Sequence, residues 1–235
     1  MRLTSRKQIR RAGTIALAAV VAAGTMTVTS SSASAAMTEG LMCDTDAHNA
    51  FSLTAAAGYV STPDGNSIYM WSYGNSKRGF QLPGPTLCVT SGQAVTVVLH
   101  NSLPEATSIM FPGQSGVKAD GNAAQPQFDS GGSLTSLVQT ADKLTGSVTY
   151  TFTAGSPGTY LYESGTDVDK QKQMGMYGAL VVRPAGHPTW VNDRTDSAFT
   201  DGKEYVFLLS EVDPDVHLAV ERSQPVDWSK YTARY

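Results

Sequence analysis

The 235-residue sequence has few of the residues that build metal and catalytic sites. It contains two cysteines and four histidines, and the histidines are too far apart in sequence to form a ligand pair: His48, His100, His187 and His217. The nucleophile motif Gly-x-Ser-x-Gly is absent, and Ser164 has no histidine nearby in sequence. The sequence therefore predicts no catalytic and no cofactor-binding residue, and it favours surface or packing roles for the histidines.

Lys and Arg are also scarce in the sequence that follows residue 35. Residues 1–35 have the pattern of a signal peptide, with five basic residues, an apolar run from Ala12 to Val28 and the cleavage motif Ala33-Ser34-Ala35. Its removal leaves 12 Lys and Arg against 20 Asp and Glu, a net charge near −8. The absence of a basic stripe argues against nucleic acid as a partner. We expect a secreted, extracellular protein with no membrane contact after cleavage.

Helical periodicity is missing as well, because no apolar pattern of period 3.6 continues for three turns after residue 36. Short runs rich in β-branched and aromatic residues occur instead, separated by Gly and Pro: Ser67–Tyr73, Ala94–Leu99, Ser147–Ala154, Thr159–Tyr162 and Ala179–Val182. A polar loop is expected from Glu163 to Gln173, and a surface excursion from Gly113 to Asp142. The predicted fold class is an all-β antiparallel sandwich.

The two cysteines are Cys43 and Cys88. An even count in an exported chain favours a disulfide between them. Two alternatives remain open from the sequence: a pair of reduced, buried thiols, or a copper-ligating Cys88 with only His100 close to it.

Two long blocks carry a family resemblance. The first is PGPTLCVTSGQAVTVVLHNSLPEATSI, residues 83–109, and the second is SPGTYLYESGTDVDKQKQMGMYGALVVRP, residues 156–184. Both resemble the first plastocyanin-like, or cupredoxin, domain of the multicopper oxidases, over residues 41–184 in all. The resemblance implies a Greek-key cupredoxin-like β-sandwich.

That family is known to bind copper through two histidine pairs in this domain, and the resemblance places the four ligand positions. They are occupied here by Met110, Pro112, Glu163 and Gly165, and we expect these four side chains to lie together on one end or face of the sandwich. Pro and Gly have no metal-binding side chain, so we expect no metal ligand and no copper in this domain, although the full-length family protein uses copper.

Other donors could replace the missing ligands. Met110, Met174 and Met176 offer soft thioethers, yet methionine more often fills a core. Glu163, Asp167 and Asp169 form an acidic group, but their segment lacks the glycine and terminal glutamate of a calcium loop. We therefore predict packing methionines and a solvated acidic loop.

The domain organisation follows from the same resemblance. We predict a cupredoxin domain over 36–184, a linker over 185–203, and the beginning of a second, incomplete cupredoxin domain over 204–235, opening with a strand at Glu204–Ser210. The expected function is that of the amino-terminal domain of a secreted multicopper-oxidase-type protein, with the following cupredoxin domains as its partners. The alternative is a non-catalytic module, retained for packing or partner binding.

Overall fold

Two β-sheets packed face to face enclose the core of the structure, a computed structural model that describes residues 43–44, 49–75 and 79–232. The larger sheet has the strand order β2-β1-β4-β9-β5-β6, the smaller one β10-β11-β3, and β7 pairs with β8 in a short ribbon. The strands are β1 Ala50–Ser61, β2 Ser67–Asn75, β3 Leu87–Thr90, β4 Ala94–Asn101, β5 Lys118–Ala119, β6 Asn122–Ala123, β7 Gln127–Phe128, β8 Leu134–Ser136, β9 Ser147–Thr153, β10 Gly158–Glu163 and β11 Tyr177–Arg183.

Alternating side chains explain why the larger sheet has a buried face. In β4 the residues Val95, Val97 and Leu99 point inward, while the residues between them are more exposed. Its antiparallel neighbour β9 shows the same alternation and buries Val148, Tyr150 and Phe152. The strands predicted from these two runs are confirmed.

The smaller sheet closes the core from the other side. Apolar residues of β3 and β11 are buried in the same cluster as those of β4 and β9, namely Leu87, Val89, Leu180 and Val182. Strand β3 runs parallel to β11, and β1 runs parallel to β4, so each sheet joins segments distant in sequence. The predicted all-β sandwich is confirmed, but these two pairs are parallel, so the sandwich is not antiparallel throughout as predicted.

Two short helices interrupt the strands. Helix α1, Val168–Met174, occupies the second half of the segment Glu163–Gln173, for which a polar loop was predicted, and that prediction is wrong. Only Gln171 and Met174 of α1 are buried, so two inward positions in seven residues are too few for a recognisable period. Helix α2, Pro214–Glu221, is capped by Asp213, whose side chain accepts a hydrogen bond from Asp215 N.

The strand predicted at Glu204–Ser210 is not paired in a sheet with any residue that the structure describes. The segment is extended, and its side chains alternate between more and less exposed positions. Large apolar side chains occupy the exposed positions, since Tyr205, Phe207 and Leu209 are 60%, 86% and 93% exposed. A run with aromatic and β-branched residues, such as Tyr205-Val206-Phe207, favours an extended backbone, but a sheet also needs a neighbouring strand. The residues after it, in α2, pack on β2 of the sandwich. That 204–235 begin a second domain stays a prediction.

The amino-terminal end of the described chain is tied to the smaller sheet. A disulfide joins Cys43 to Cys88, with Cα atoms 5.4 Å apart, so that the predicted bridge is confirmed and the two alternatives are excluded. Asp44 N donates to Thr86 O at 2.7 Å beside it. The predicted signal peptide and His48 lie outside the described residues. Within those residues no helix is long and apolar enough to cross a membrane.

Candidate functional site

The segments that carry the four family ligand positions meet at one end of the sandwich. Met110 N donates to Glu163 O at 2.7 Å, and Glu163 N donates to Met110 O at 3.1 Å. A Cβ atom built on Gly165 would lie 2.8 Å from Met110 Cγ and 3.1 Å from its sulfur. Three of the four positions are therefore in direct contact, and the expectation that 110–112 and 163–165 come together is confirmed.

The fourth position, Pro112, is exposed, whereas its neighbour Phe111 anchors the segment. The Phe111 ring lies 4.8 Å from the Phe152 ring and 5.9 Å from the Tyr150 ring, measured between centroids.

A hydrogen-bonded group of buried side chains lies directly behind these positions. We call it the hydroxyl–amide cluster; its members are Thr107, Ser108, Ser136, Ser164, Thr166 and Gln171, each no more than 9% exposed. Three hydroxyls form a triangle, with Ser108 Oγ 2.9 Å from Thr166 Oγ1, Thr166 Oγ1 2.9 Å from Ser136 Oγ, and 3.4 Å between the two serines. Each of these oxygens thus has partners in spite of its burial.

Gln171 of α1 connects the second half of the cluster. The hydroxyls of Thr107 and Ser164 both donate to Gln171 Oε1, at 2.7 Å each, and Gln171 Nε2 donates to Ala106 O at 2.8 Å. The cluster also holds the backbone of a ligand position, since Gly165 N donates to Ser108 Oγ at 3.1 Å. The cluster thus joins 106–108, β8, 164–166 and α1.

Sequence reasoning missed this cluster. Ser136 lies in the segment interpreted as a surface excursion, and this is wrong for Ser136, which is 2% exposed. Gln171 was assigned to a solvated loop, although it is fully buried. Isolated polar residues give no periodic pattern, so no signal in the sequence distinguishes them from surface residues.

The acidic residues near the site do not gather around a common point. Glu163 accepts a hydrogen bond from Lys172 at 3.2 Å, and Asp167 pairs with Lys170 at 2.6 Å. Lys170 also contacts Glu105 at 2.8 Å. Burial lowers the pKa of Lys170, but its hydrogen bonds to the two carboxylates outweigh this effect, so that the pKa lies above the ordinary value. Lys170 thus bridges Asp167 and Glu105, whereas Glu163 pairs with Lys172.

The remaining donors are also dispersed. Met174 and Met176 are fully buried in the hydrophobic core. His100 and His187 are exposed, with His187 stacked on Trp190 at 3.8 Å, whereas His217 is buried and its Nδ1 lies 2.6 Å from Tyr69 O. Among the described residues no three His, Cys, Asp or Glu side chains are grouped closely enough to hold a metal ion.

The residues at the four positions do not fit a histidine-ligated copper centre. Pro112 and Gly165 offer no donor atom, the Met110 side chain packs against the Gly165 backbone, and Glu163 is paired with Lys172. The polar atoms of the cluster behind them are hydrogen-bonded to one another.

Comparison with known proteins gives consistent matches. The family model described as "Multicopper oxidase" matches residues 60–187. The curated protein Multicopper oxidase CTB12 of Cercospora beticola is 30% identical over 154 residues, which are 64% of this chain and 21% of that protein. This chain therefore spans about a fifth of the length of that relative.

Two solved structures illustrate the structural matches. A laccase from Pediococcus acidilactici is 20% identical, with a TM-score of 0.48, over 63% of this chain and 29% of that one. A multicopper oxidase from Campylobacter jejuni is 21% identical, with a TM-score of 0.47, over 62% of this chain and 28% of that one.

Proposed function

Because this chain belongs to the multicopper oxidase family, we propose that it is the amino-terminal cupredoxin domain of a secreted oxidase whose copper is bound by other domains. The observation that supports this proposal is the contact of Met110 with Glu163 and Gly165. The segments that carry the family's ligand positions meet, as the resemblance implies, while other residues stand where the family has histidines.

The reaction of the family couples one-electron oxidation of phenols, amines or metal ions to the reduction of oxygen. In this proposal the copper for that reaction is held outside residues 36–235. The described residues contribute a folded, hydrogen-bonded domain end and no ligand.

Secretion is part of the proposal and is supported by the leader pattern of residues 1–35 and by the Cys43–Cys88 disulfide. Intact-mass measurement of protein recovered from the culture medium should give an amino terminus at Ala36. A retained leader would contradict secretion as a soluble protein.

The hydroxyl–amide cluster favours a second candidate function. Buried hydroxyls that are hydrogen-bonded to one another and to Gln171 need no metal as a partner, as expected for a non-catalytic module that packs against or binds a partner. The two functions differ in the complete gene product: the first predicts His-x-His motifs and bound copper beyond residue 235, and the second predicts neither.

Metal analysis distinguishes them. Residues 36–235, dialysed against copper and then against buffer, are expected to retain less than stoichiometric copper and to oxidise no phenolic substrate. The complete secreted product is expected to hold copper and to oxidise such a substrate. Stoichiometric copper on residues 36–235 would show that a ligand set exists in this chain, and a complete product without copper would favour the non-catalytic module.

A further inference from the structure

Met110 differs from the other methionines of the sandwich in its exposure. Met70, Met174 and Met176 are at most 2% exposed, whereas Met110 is partly exposed. Within the part of the chain that the structure describes, Met110 is therefore the methionine that a dissolved reagent reaches first. An accessible thioether reacts with two-electron oxidants, and the product is methionine sulfoxide.

The side chain of Met110 packs against the backbone of the segment that follows β10. A Cβ atom added to Gly165 would lie 2.8 Å from Met110 Cγ, 3.1 Å from its sulfur and 3.3 Å from Leu137 Cβ. The thioether thus fills the space that a side chain of residue 165 would occupy, beside Leu137. This contact is apolar, as suits an unoxidised methionine.

Gly165 is at the same time hydrogen-bonded to the hydroxyl–amide cluster through both of its polar backbone groups. Gly165 N donates to Ser108 Oγ at 3.1 Å. Gly165 O accepts from Leu137 N at 2.8 Å and lies 3.3 Å from Ser136 Oγ. The residue that Met110 covers is therefore one of the links between the segment 163–166 and the cluster.

A sulfoxide at position 110 disturbs this contact. Its oxygen is a hydrogen-bond acceptor that replaces an apolar lone pair, and leaving it against Gly165 and Leu137 without a donor is costly. The neighbouring N–H groups of both residues already donate to other acceptors. The oxygen must turn towards water, which moves the side chain off Gly165, or it must take the Gly165 N–H away from Ser108. Either change weakens the attachment of 163–166 to the cluster.

We propose that Met110 is an oxidation site, at which a peroxide converts the thioether to the sulfoxide and thereby loosens the segment 163–166 from the hydroxyl–amide cluster. In this reaction the O–O bond of hydrogen peroxide breaks, one oxygen forms the S–O bond, and the other leaves as water. The sulfur loses two electrons and the peroxide gains them, so the reaction needs no further reactant. The inference goes beyond the proposed function, because it concerns a covalent modification of this chain.

Peptide mapping by mass spectrometry tests the site. Residues 36–235 are treated with dilute hydrogen peroxide and digested, and the oxidised fraction of each methionine is followed with time. We expect Met110 to be oxidised at least about ten times faster than Met174 and Met176, because both of these are fully buried. Equal rates at the three positions would overturn the oxidation site.

Hydrogen exchange tests the consequence. Complete oxidation of Met110 should raise the exchange rate of the amides of 163–166 by about tenfold or more, while β4 and β9 keep their protection. Met110→Gln, which places a polar side chain of similar length there, should give the same faster exchange without peroxide. Met110→Leu conserves the apolar volume and should leave 163–166 protected with or without peroxide. Unchanged exchange of 163–166 in fully oxidised protein would overturn the loosening.

The melting temperature separates Met110 from the other methionines. Peroxide should lower the Tm of the wild type by about 5 °C and leave that of Met110→Leu nearly unchanged. Met176→Leu, at a buried methionine, is the matched control and should keep the full response to peroxide. An equal loss in the wild type and in Met110→Leu would assign the effect to other residues, such as Met37 and Met42 outside the described residues, and would overturn the proposal. None of these readouts involves copper, so their failure would leave the proposed function intact.

Discussion

Gly165 shows how one residue changes a potential metal position into a packing contact. Its missing side chain leaves room for Met110, because a Cβ atom there would approach Met110 Cγ to 2.8 Å and Leu137 Cβ to 3.3 Å. A histidine side chain introduced at position 165 alone would therefore clash with the Met110 side chain.

The contact predicts a coupled pair of substitutions. Gly165→Ala is expected to destabilise the domain by about 1–3 kcal/mol through overpacking, and much of this loss should disappear in the background of Met110→Ala. Urea unfolding of the two single variants and the double variant measures the coupling. Gly155→Ala is the control, since the nearest atom to its added Cβ is Gln114 Oε1 at 3.4 Å. Additive effects of the 165 and 110 substitutions would contradict the packing contact.

Gln171 is the residue on which half of the hydroxyl–amide cluster depends. Gln171→Leu would remove the acceptor of the Thr107 and Ser164 hydroxyls and leave buried groups without that partner. We expect a loss of about 2–4 kcal/mol in the free energy of unfolding. Lys172→Leu, at the next and more exposed position of α1, should cost less than 1 kcal/mol. A loss for Gln171→Leu no greater than that of the control would mean that the cluster contributes little.

At the scale of elements, helix α2 is docked by a buried histidine. His217 Nδ1–H donates to Tyr69 O of β2, and burial lowers the pKa of His217 below its ordinary value of about 6.5. A lowered pKa means that the undocked helix takes up the proton more readily than the docked one. Docking is therefore complete above about pH 6.5 and weakens as the pH falls from there through the pKa of the docked state.

The prediction for α2 is a local opening in mild acid. Amide exchange of 214–221, corrected for the intrinsic effect of pH, should show less protection at pH 5 than at pH 7.5, while that of β4 and β9 stays unchanged. In His217→Gln this pH dependence should be lost, whereas the exposed His100→Gln should keep it. Uniform loss of protection in all elements would point to global acid unfolding instead.

Elements differ in how far the sequence predicts them. Strands β4 and β9 were predictable because every second residue of each strand faces the core and is apolar, and this alternation is visible in the sequence. Helix α1 was not, because only two of its residues contact the core. For the candidate site, the sequence placed Met110 beside Glu163 through the family motifs, but Ser136 and Gln171 reach the cluster only through tertiary folding.

For the whole molecule, the disulfide is the covalent constraint with the largest expected effect. It closes a loop of 45 residues, and the loop-entropy model gives a stabilisation of about 3–4 kcal/mol. Cys43→Ser combined with Cys88→Ser should lower the urea midpoint accordingly, and a reducing agent should do the same for the wild type but not for the double variant. An effect of the reductant on the double variant would show that it acts elsewhere than on this disulfide.

The parallel pairing of β3 with β11 has a consequence for the order in which the chain matures. Leu87 and Leu180 are paired in the sheet, yet a ribosome makes the first long before the second. Until Tyr177–Arg183 have been made, β3 lacks its neighbouring strand β11, and the nascent domain exposes the inner face of its larger sheet. Cys43 and Cys88 have both been made well before that point, so their bond can form before β11 pairs with β3. The Cys43–Cys88 disulfide can therefore form in the nascent polypeptide before the smaller sheet is complete, and that sheet then assembles around it.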